Sequence, residues 1–552
     1  MDRLLAKPIL AVSVLILVCG YLFFFQSGKL ALTDPDETFY AQTAREMLAR
    51  GEWVTPYLYG KPQFEKPALF YWLVEASYKA FGVNEFAARF PSAVFGTIGV
   101  IAIYFLGSLF FTSRAGFLSA LILATSVEYI MISRACVTDM VLAVLLFLGI
   151  LFFFYGYMRQ KNAFYLLSSA FFGLAVLTKG PIFLLLAGFA IVAFLFLNKD
   201  LKALTRMPLW QAAAVFIVIT APWYLAIYKL HGKVFIDAFF GFHNITRFLE
   251  AEHKIGSQVY YNIPVIFGGF FPWSVFLPFG LWRIFKKAYE RQPSASSEKR
   301  GSIFILVWFL SIFLFFTASS TKLPTYVFPC FISLALIVGS LWDDFMSGNA
   351  GATAGTKVSY YILVAIVIIG AFVAPVAVKL KYPVLSAGVA LSASFLVFGM
   401  LLSMSAFAGK KIVMAFLLVV YAVALFLYPL NELVIPSIER LETSKEVALK
   451  LKPLMKSSEP LGAESNYLAG LAFYADKAPA NLDRHHDMVQ FLNSKEHVWA
   501  VMKEKNHKQL YDPSINQSYV KPSYIIYKAG KRAIVTNEMP ADGKYIVKRE
   551  RP

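Results

Sequence analysis

Long apolar runs separated by short polar connections dominate the first 430 residues of the chain. A helix needs about 20 mostly apolar residues to span a bilayer. Thirteen runs approach or exceed that length, and the close spacing of several leaves twelve or fourteen open. They are 8–25, 86–107, 112–131, 138–157, 162–178, 181–198, 208–229, 259–281, 301–316, 324–342, 358–379, 382–405 and 411–430. The pattern predicts an all-α polytopic membrane domain over residues 1–430.

Two connections between these runs are too long to be turns. The first covers about residues 27–85 and contains AQTAREMLARGEW and PALFYWLVEASYKAF, which place apolar side chains on one helical face. Amphipathic helices of this kind commonly lie in the membrane interface. The second covers about residues 230–258. We therefore predict two long loops on the same side of the membrane, with amphipathic helices in the first.

The hydrophobic pattern changes after residue 430. Residues 431–552 are polar and rich in lysine. Helical periodicity is visible in SIERLETSKEVALKLKPLM and in part of HHDMVQFLNSKEHVWAVMKEK, whereas SYIIYK and RAIVTN are typical of short strands. A segment of this length can bury its own core. It is predicted to be a small extracytoplasmic α/β domain that follows the membrane domain.

Composition and charge agree with this division. The chain has 552 residues, of which 58% are hydrophobic and 16% are charged, and its net charge is +18. Lysine and arginine favour cytoplasmic loops. Their distribution predicts a cytoplasmic N-terminus, and an odd number of spans then places the C-terminus outside. The basic charge is accounted for by topology, so no nucleic-acid partner is predicted. The three cysteines are far apart and indicate neither a disulfide framework nor a zinc knuckle.

On this topology the unusual polar residues collect on the outer face. They are Asp36 and Glu37 after the first run, Glu65 and Lys66 in FEKPALFYW, Asp139 in SRACVTDM, Lys179 in LTKGP, His243 and Arg247 in the second long loop, and Lys322 and Tyr326 in STKLPTY. Ionisable groups at membrane depth cost about 2.5–3.5 kcal/mol and suggest a functional site. Acids suit proton abstraction or cation stabilisation, and bases suit a phosphate. The pattern predicts one cavity that opens outward.

Each of these residues also has a simpler structural interpretation. Asp36, Glu37 and Asp139 stand at helix starts, where carboxylates are favourable. Glu65 and Lys66 are compatible with a surface ion pair, which contributes little stability. Lys179 is compatible with a turn, and Arg247 and Lys322 with cations that reach the membrane surface. A common cavity explains all of them together, whereas the structural interpretations require six separate coincidences.

The ordered motifs DETFYAQTAREML, FEKPALFYW, RACVTDM, LTKGP, HNITRF and TKLPTYVFPCF resemble a known family. They are similar to the aminoarabinose transferases of Gram-negative bacteria. They also resemble the wider group of polyprenol-phosphate-dependent glycosyltransferases with the GT-C fold, which includes protein O-mannosyltransferases. The resemblance covers roughly residues 1–430. It implies a GT-C-like fold and transfer of 4-amino-4-deoxy-L-arabinose from undecaprenyl phosphate to lipid A phosphate, a lipopolysaccharide modification that gives polymyxin resistance.

The resemblance also implies roles for individual residues. Asp36 matches the required acid of the first loop, and Asp139 matches a second acid that lines the cavity. Lys66 matches the lysine that holds the carrier phosphate, and Arg247 and Tyr326 resemble residues near that phosphate. The resemblance further implies a metal contact at Glu65, with His243 as a second candidate. The chain departs from the family pattern at three positions, since it has Gln63, Ala68 and Asn244 where the family tends to have tyrosine, proline and histidine.

These inferences predict an inverting glycosyltransferase of the bacterial inner membrane. Its donor is a polyprenyl-phosphate sugar, its acceptor is lipid A or another envelope molecule, and it acts as a monomer on the periplasmic side. Glu37 is a further catalytic candidate, and Lys179 and Lys322 are further phosphate-binding candidates. The chemistry requires no cofactor, although a zinc-like divalent metal near Glu65 is compatible with it. Another sugar, such as mannose or galacturonic acid, with a protein or glycan acceptor is the first alternative. A lipid-linked-sugar transporter and a structural or sensor protein are the others.

Overall fold

The computed structural model describes residues 7–239, 241, 258–289, 296–320, 322–512, 514–516 and 518–539. The chain forms two compact units. The first contains Met1–Ser27, Phe64–Leu73 and Arg89–Leu430. The second contains Gly28–Gln63, Val74–Ala88 and Asn431–Pro552. Residues of the first long loop therefore share a unit with the polar C-terminal segment.

Helices account for most of the described chain. Up to residue 429 they are α1 Pro8–Cys19, α2 Asp36–Arg50, α3 Leu69–Phe81, α4 Glu85–Phe110, α5 Ser113–Ala124, α6 Val127–Ser133, α7 Thr138–Arg159, α8 Asn162–Lys179, α9 Ile182–Leu197, α10 Ala203–Arg206, α11 Leu209–Ile236, α12 Asn262–Gly269, α13 Leu277–Tyr289, α14 Ser297–Ala318, α15 Cys330–Met346, α16 Ala350–Lys381, α17 Ser386–Ala408 and α18 Ile412–Pro429. Beyond it lie α19 Ile435–Glu442, α20 Lys445–Leu451, α21 Ser465–Ala475, α22 His485–Leu492 and α23 Glu504–Gln509.

The described residues contain eight helices that are long and apolar enough to cross a membrane, or ten if each of two bent pairs is one span. The predicted all-α membrane fold is confirmed, but the predicted count of thirteen is not. Two predicted runs, 112–131 and 259–281, are bent pairs rather than straight helices, with bends of 68° and 114°. Two others form shorter apolar helices, Pro8–Phe24 and Ile182–Leu197.

The two bent pairs contact one another at their breaks. The backbone N–H of Val127, at the start of α6, donates to the carbonyl of Phe271 at 3.1 Å. The indole N–H of Trp273 donates to the hydroxyl of Thr125 at 2.9 Å, and Trp273 is fully buried. Non-helical backbone is tolerated at membrane depth only where protein or a water-filled cavity surrounds it. The two breaks meet this requirement by supplying hydrogen-bond partners to each other.

The second unit contains a five-stranded mixed sheet. Its strands are β3 Leu461–Ala463, β4 Ala480–Asn481, β5 Trp499–Lys503, β6 Tyr524–Ala529 and β7 Arg532–Thr536. They lie in the order β4-β3-β5-β7-β6. A short hairpin, β1 Tyr57–Leu58 with β2 Lys61–Pro62, lies in the first loop. In the sheet β3 pairs in parallel with β4 and β5, and β7 pairs antiparallel with β5 and β6. The strands predicted in SYIIYK and RAIVTN are confirmed as β6 and β7.

The sheet has an apolar core on each face. Trp499 and Val501 of β5 belong to one buried cluster, whereas Ala500 and Met502 belong to the other. This alternation follows from the two-residue period of a strand. A sheet covered on both faces agrees with the predicted small α/β fold.

Candidate active site

An acid and a base predicted from separate outer connections are in direct contact in the first unit. Asp139 lies in the first turn of α7, and Lys179 is the last residue of α8. The Lys179 ammonium nitrogen lies 2.7 Å from Oδ1 of Asp139, with side chains 15% and 12% exposed. Because α7 and α8 are consecutive helices, the start of one lies beside the end of the other. A carboxylate at a helix N-terminus and an ammonium at a C-terminus are both favourable.

Tyr326 also lies at this pair. It belongs to a 3₁₀ turn, Pro324–Val327, that precedes α15. The Lys179 ammonium is 5.9 Å from the centre of the Tyr326 ring, within the range of a cation–π contact. The ring packs against Phe316 at a centroid distance of 5.0 Å. The structure therefore brings together Asp139, Lys179 and Tyr326, three residues predicted from different outer connections.

Lys322 is buried just before the turn that holds Tyr326. Its ammonium donates to the backbone carbonyl of Ser319 at 2.8 Å. A carbonyl oxygen accepts a hydrogen bond but brings no formal negative charge. Lys322 therefore contributes charge to the region that precedes α15, with one of its three donors committed to the backbone.

The FEKP motif forms a largely buried ion pair in the first unit. The Lys66 ammonium lies 3.2 Å from Oε1 of Glu65, with side chains 11% and 28% exposed. Phe64 packs against His231 and Phe235, with ring centroids 5.0 and 5.7 Å apart. These aromatic contacts fix the motif against residues of α11. Because Lys66 is largely buried, this ion pair differs from an ordinary surface salt bridge.

Asp36 and Glu37 begin α2, in the second unit. Asp36 is exposed, whereas Glu37 is buried. A carboxylate oxygen of Glu37 accepts the backbone N–H of Thr33 at 2.9 Å, and the backbone N–H of Glu37 donates to the Thr33 carbonyl at 3.1 Å. Glu37 thus stabilises the start of the helix that carries Asp36. The helix predicted over AQTAREML is confirmed as part of α2.

Asp34, the first acid in the segment TDPDE at residues 33–37, was not predicted to have a role. Its Oδ2 accepts both the backbone N–H and the hydroxyl of Ser444 at 2.6 Å each, and its Oδ1 accepts the hydroxyl of Thr38 at 2.9 Å. A Cβ at Gly470 would overlap this carboxyl group. Burial raises the pKa of Asp34 from 3.8 to about 6, although the Ser444 hydrogen bonds oppose the rise. Asp34 positions the turn that precedes Asp36.

Glu128 is a second acid that was not predicted from the sequence. It follows the break between α5 and α6 and is 8% exposed. Its Oε1 has no hydrogen-bond partner in the described part of the chain. The position of Glu128 in the sequence could have identified it as a candidate. It lies inside the predicted run 112–131, and an acid within a membrane span is a functional candidate.

The remaining candidates, His243 and Arg247, lie outside the described residues. Among residues that the structure does describe, no three His, Cys, Asp or Glu side chains gather into a group that could hold a metal ion. The metal contact at Glu65 and His243 therefore stays a prediction. Glu65 has Lys66 as an ion-pair partner.

Comparisons with known proteins point to one group. The family model described as dolichyl-phosphate-mannose-protein mannosyltransferase matches residues 65–225. The undecaprenyl phosphate-alpha-4-amino-4-deoxy-L-arabinose arabinosyl transferase of Yersinia enterocolitica is 30% identical over 60% of this chain and 59% of that enzyme. The enzyme of the same name from Erwinia tasmaniensis is 32% identical over 56% of this chain and 55% of its own length. These alignments thus span somewhat over half of each relative.

A solved structure matches over almost the whole chain. The crystal structure of ArnT from Cupriavidus metallidurans bound to undecaprenyl phosphate has a TM-score of 0.80 and 21% sequence identity, and the match covers 96% of this chain and 98% of that one. At this identity the likeness shows the fold. The comparisons confirm the predicted resemblance and the predicted fold class.

Proposed function

We propose that this chain, which has the fold of ArnT and resembles the polyprenol-phosphate glycosyltransferases, is an inverting glycosyltransferase. It moves a sugar from polyprenyl phosphate to an acceptor on the outer face of the bacterial inner membrane. The preferred donor sugar is 4-amino-4-deoxy-L-arabinose, and the preferred acceptor is lipid A phosphate. The observation that carries the proposal is the contact of Asp139 with Lys179 beside Tyr326. The N-terminus is cytoplasmic, the C-terminal sheet is periplasmic, and the enzyme acts as a monomer.

The basic residues stabilise the leaving group. Polyprenyl phosphate departs as an anion, and charge-assisted hydrogen bonds in a low-dielectric site stabilise developing negative charge strongly. Lys66 is a suitable donor because most of its side chain is shielded from solvent. Lys179 and Tyr326 lie together and supply an ammonium and a phenol. Arg247 and Lys322 complete the set of phosphate-binding candidates.

The acidic residues act on the sugar and its acceptor. In glycosyl transfer the anomeric carbon becomes oxocarbenium-like and gains positive charge. Asp139 lies 2.7 Å from the Lys179 ammonium, and a carboxylate at this position suits stabilisation of that charge. Asp36 acts as a general base if the acceptor is a hydroxyl, since a hydroxyl must lose a proton. A phosphate acceptor is already ionised, and Asp36 then orients substrate groups. Attack from the face opposite the leaving phosphate inverts the anomeric centre.

Related reactions fit the same residues. A donor that carries mannose or galacturonic acid, with a protein or glycan acceptor, would use the same phosphate-binding bases and the same acids. Specificity for the donor sugar depends on protein groups that contact its hydroxyl or amino substituents. These substituents distinguish the candidate donors, whereas the phosphate is common to all of them.

One observation favours a transporter as the second candidate. Paired broken helices commonly form the substrate site of secondary transporters, and this chain has two bent pairs in contact at their breaks. A transporter moves a lipid-linked sugar across a bilayer and leaves the sugar–phosphate bond intact. Detergent solution therefore separates the two functions, because sugar transfer can occur there but transmembrane transport cannot.

The test uses purified full-length protein in detergent with radiolabelled polyprenyl-phosphate aminoarabinose and lipid A, and identifies the product by mass. We expect transfer by the wild type and loss of at least 100-fold in Asp139→Asn and Asp36→Asn at equal amounts of folded protein. Absence of transfer by the wild type with intact donor would exclude this donor–acceptor pair. Undiminished transfer by both variants would exclude the two carboxylates from the chemistry.

A further inference from the structure

Six basic residues lie at the ends of helices in the first unit, on the side of the membrane opposite Asp139 and Lys179. Asp139 begins α7 and Lys179 ends α8, so the last turn of α7 and the first turn of α8 lie on the other side. The 22 residues of α7 span about 33 Å at 1.5 Å per residue. We define the basic face as Arg159, Lys161, Lys199, Lys202, Arg206 and Arg300. It is separate from the candidate active site.

Direct contacts join three parts of the basic face. The hydroxyl of Tyr157, in the last turn of α7, donates at 2.9 Å to Oδ2 of Asp200, in the turn between α9 and α10. The other oxygen of Asp200 lies 2.5 Å from the guanidinium of Arg206. The guanidinium of Arg300, near the start of α14, lies 5.4 Å from the centre of the Tyr157 ring. Cations from two interhelical turns and from α14 therefore share one surface.

The basic face carries a surplus of positive charge. Asp200 pairs with Arg206, and Glu298, two residues before Arg300, pairs with Lys287 at 3.0 Å. Five cations have no carboxylate within ion-pair distance among the residues that the structure describes, namely Arg159, Lys161, Lys199, Lys202 and Arg300. Segments 1–6 and 290–295, outside the described residues, each contain one acid and one arginine. Neither segment can supply a net negative charge that balances the surplus.

Exposed apolar side chains border these cations. Phe196, near the end of α9, is 65% exposed, and Trp210, at the start of α11, is 89% exposed. Lys199, Lys202 and Arg206 lie between them in the sequence. Tryptophan at the end of a spanning helix is typical of the membrane–water interface, where lipid headgroups lie. An anionic phospholipid offers both a phosphate for the cations and acyl chains for the apolar surface, whereas a soluble anion offers only the first.

We propose that the basic face binds the headgroup of an anionic phospholipid, whose acyl chains lie along α9 and α11. This side is cytoplasmic in the proposed orientation, and the cytoplasmic leaflet presents anionic lipids. Each lysine or arginine near an anionic membrane surface contributes roughly fivefold to affinity. A zwitterionic phospholipid carries its own cation and leaves the surplus charge uncompensated. The proposal is independent of the sugar and of the acceptor.

The experiment compares two lipids with the same acyl chains and different headgroup charge. Purified full-length protein in neutral detergent, freed of lipid, is titrated with dioleoyl phosphatidylglycerol or dioleoyl phosphatidylcholine, and native mass spectrometry counts the bound lipid. We expect the wild type to prefer phosphatidylglycerol by roughly tenfold or more. Lys199→Gln/Lys202→Gln should lower its affinity for phosphatidylglycerol by roughly 10- to 30-fold and leave binding of phosphatidylcholine unchanged.

A second variant tests whether separate helices form one site. Arg300 lies on α14, and its contact with Tyr157 places it beside the turn that holds Asp200. Arg300→Gln should therefore lower the affinity for phosphatidylglycerol by roughly fivefold. An unchanged affinity would show that α14 takes no part in the site and would overturn the proposal.

Lys410 and Lys411 provide a matched control in the turn between α17 and α18. Both are exposed, and neither has an ion-pair partner within the described ranges. Lys410 has a φ of +60° and Lys199 a φ of +55°, so each double variant changes one left-handed residue of an interhelical turn. Both turns are cytoplasmic in the predicted topology. Lys410→Gln/Lys411→Gln removes the same charge and should leave the affinity for phosphatidylglycerol unchanged.

The remaining outcomes decide between a lipid site and a general effect of charge. Equal losses of affinity in the two double variants would show that net charge alone governs lipid binding, and would overturn the proposal. Equal binding of the two lipids by the wild type would do the same. Displacement of bound phosphatidylglycerol by inorganic phosphate or by polyglutamate would assign the basic face to a soluble anion or to an acidic protein instead. Thermal midpoints without added lipid should agree among the variants, which separates lost binding from lost folding.

Discussion

The Asp34 carboxylate holds Ser444, a residue 410 positions further along the chain, by two hydrogen bonds of 2.6 Å. Ser444 directly precedes α20, and Asp34 stands two residues before Asp36, so one carboxyl group joins the start of α20 to the segment that leads into α2. Both residues belong to the second unit.

The Asp34 contact should make stability depend on pH. The pKa of Asp34 is raised from 3.8 to about 6 by burial, so the folded state binds this proton more tightly than the unfolded state does. The stabilisation is complete below pH ~4 and is lost as the pH rises through about 6. Between pH 4.5 and 7.5 the free energy of unfolding of the wild type should fall by about 1–2 kcal/mol more than that of Asp34→Asn. Thermal midpoints in detergent measure this difference.

Ser444→Ala provides the companion test. The Ser444 hydroxyl hydrogen bond opposes the rise in the Asp34 pKa, so its removal should move the pH transition upward. Identical pH profiles for the wild type and Asp34→Asn would show that Asp34 does not titrate as described.

Gly470→Ala should destabilise the protein although alanine favours helices. The new Cβ would overlap the Asp34 carboxyl group, which Ser444 and Thr38 hold in place. Overpacking of this kind costs about 1–3 kcal/mol. The double variant Asp34→Ala/Gly470→Ala should be less destabilised than the sum of its single variants. Gly188→Ala on α9, where a Cβ meets nothing within 4 Å, should be neutral or slightly stabilising in the same thermal assay.

Lys179→Met should reduce both stability and transfer. It leaves the Asp139 carboxylate without its 2.7 Å partner, and breaking a buried pair costs about 3–5 kcal/mol. The double variant Asp139→Asn/Lys179→Met removes both charges and should recover most of the thermal midpoint while transfer stays at least 100-fold low. If transfer returned together with stability, the ion pair would have only a structural role.

Arg134→Met should weaken the end of the first apolar helix. The Arg134 guanidinium donates to the carbonyls of Leu22 and Phe25 at 3.1 and 2.9 Å, and helix ends leave such carbonyls without intrahelical partners. Loss of these bonds should cost about 1–3 kcal/mol. Arg206→Met removes a more exposed arginine that pairs with Asp200 at 2.5 Å, and it should cost less than about 1 kcal/mol. Equal shifts of the thermal midpoint would contradict this account.

The apolar runs located the ends of helices, and that was sufficient to predict that Asp139 and Lys179 converge. Each residue stands at a run boundary, and consecutive helices such as α7 and α8 return to the same side of the membrane. The strands β6 and β7 were likewise visible, because their apolar residues recur in short segments between turns. Local periodicity carries this kind of information without any knowledge of distant residues.

Features that depend on distant partners were not predictable in this way. SIERLETSKEVALKLKPLM has the period of one helix, yet the chain forms α19 and α20 with a break at Thr443 and Ser444. The break coincides with capture of Ser444 by Asp34, which lies 410 residues earlier. Similarly, the run 112–131 gives no sign of the bend beside Glu128, because Phe271 and Trp273 supply the partners for that break.

The contact between the two bent pairs also bears on how the protein is made. Thr125 emerges from the ribosome 148 residues before Trp273, its partner across the breaks. At synthesis rates of about 5–20 residues per second, the first bent pair waits on the order of ten seconds for the second. During that interval the amide of Val127 lacks the acceptor that Phe271 later provides. Nascent chains that end before residue 271 should therefore be more exposed to quality-control proteases than chains that extend just past residue 273.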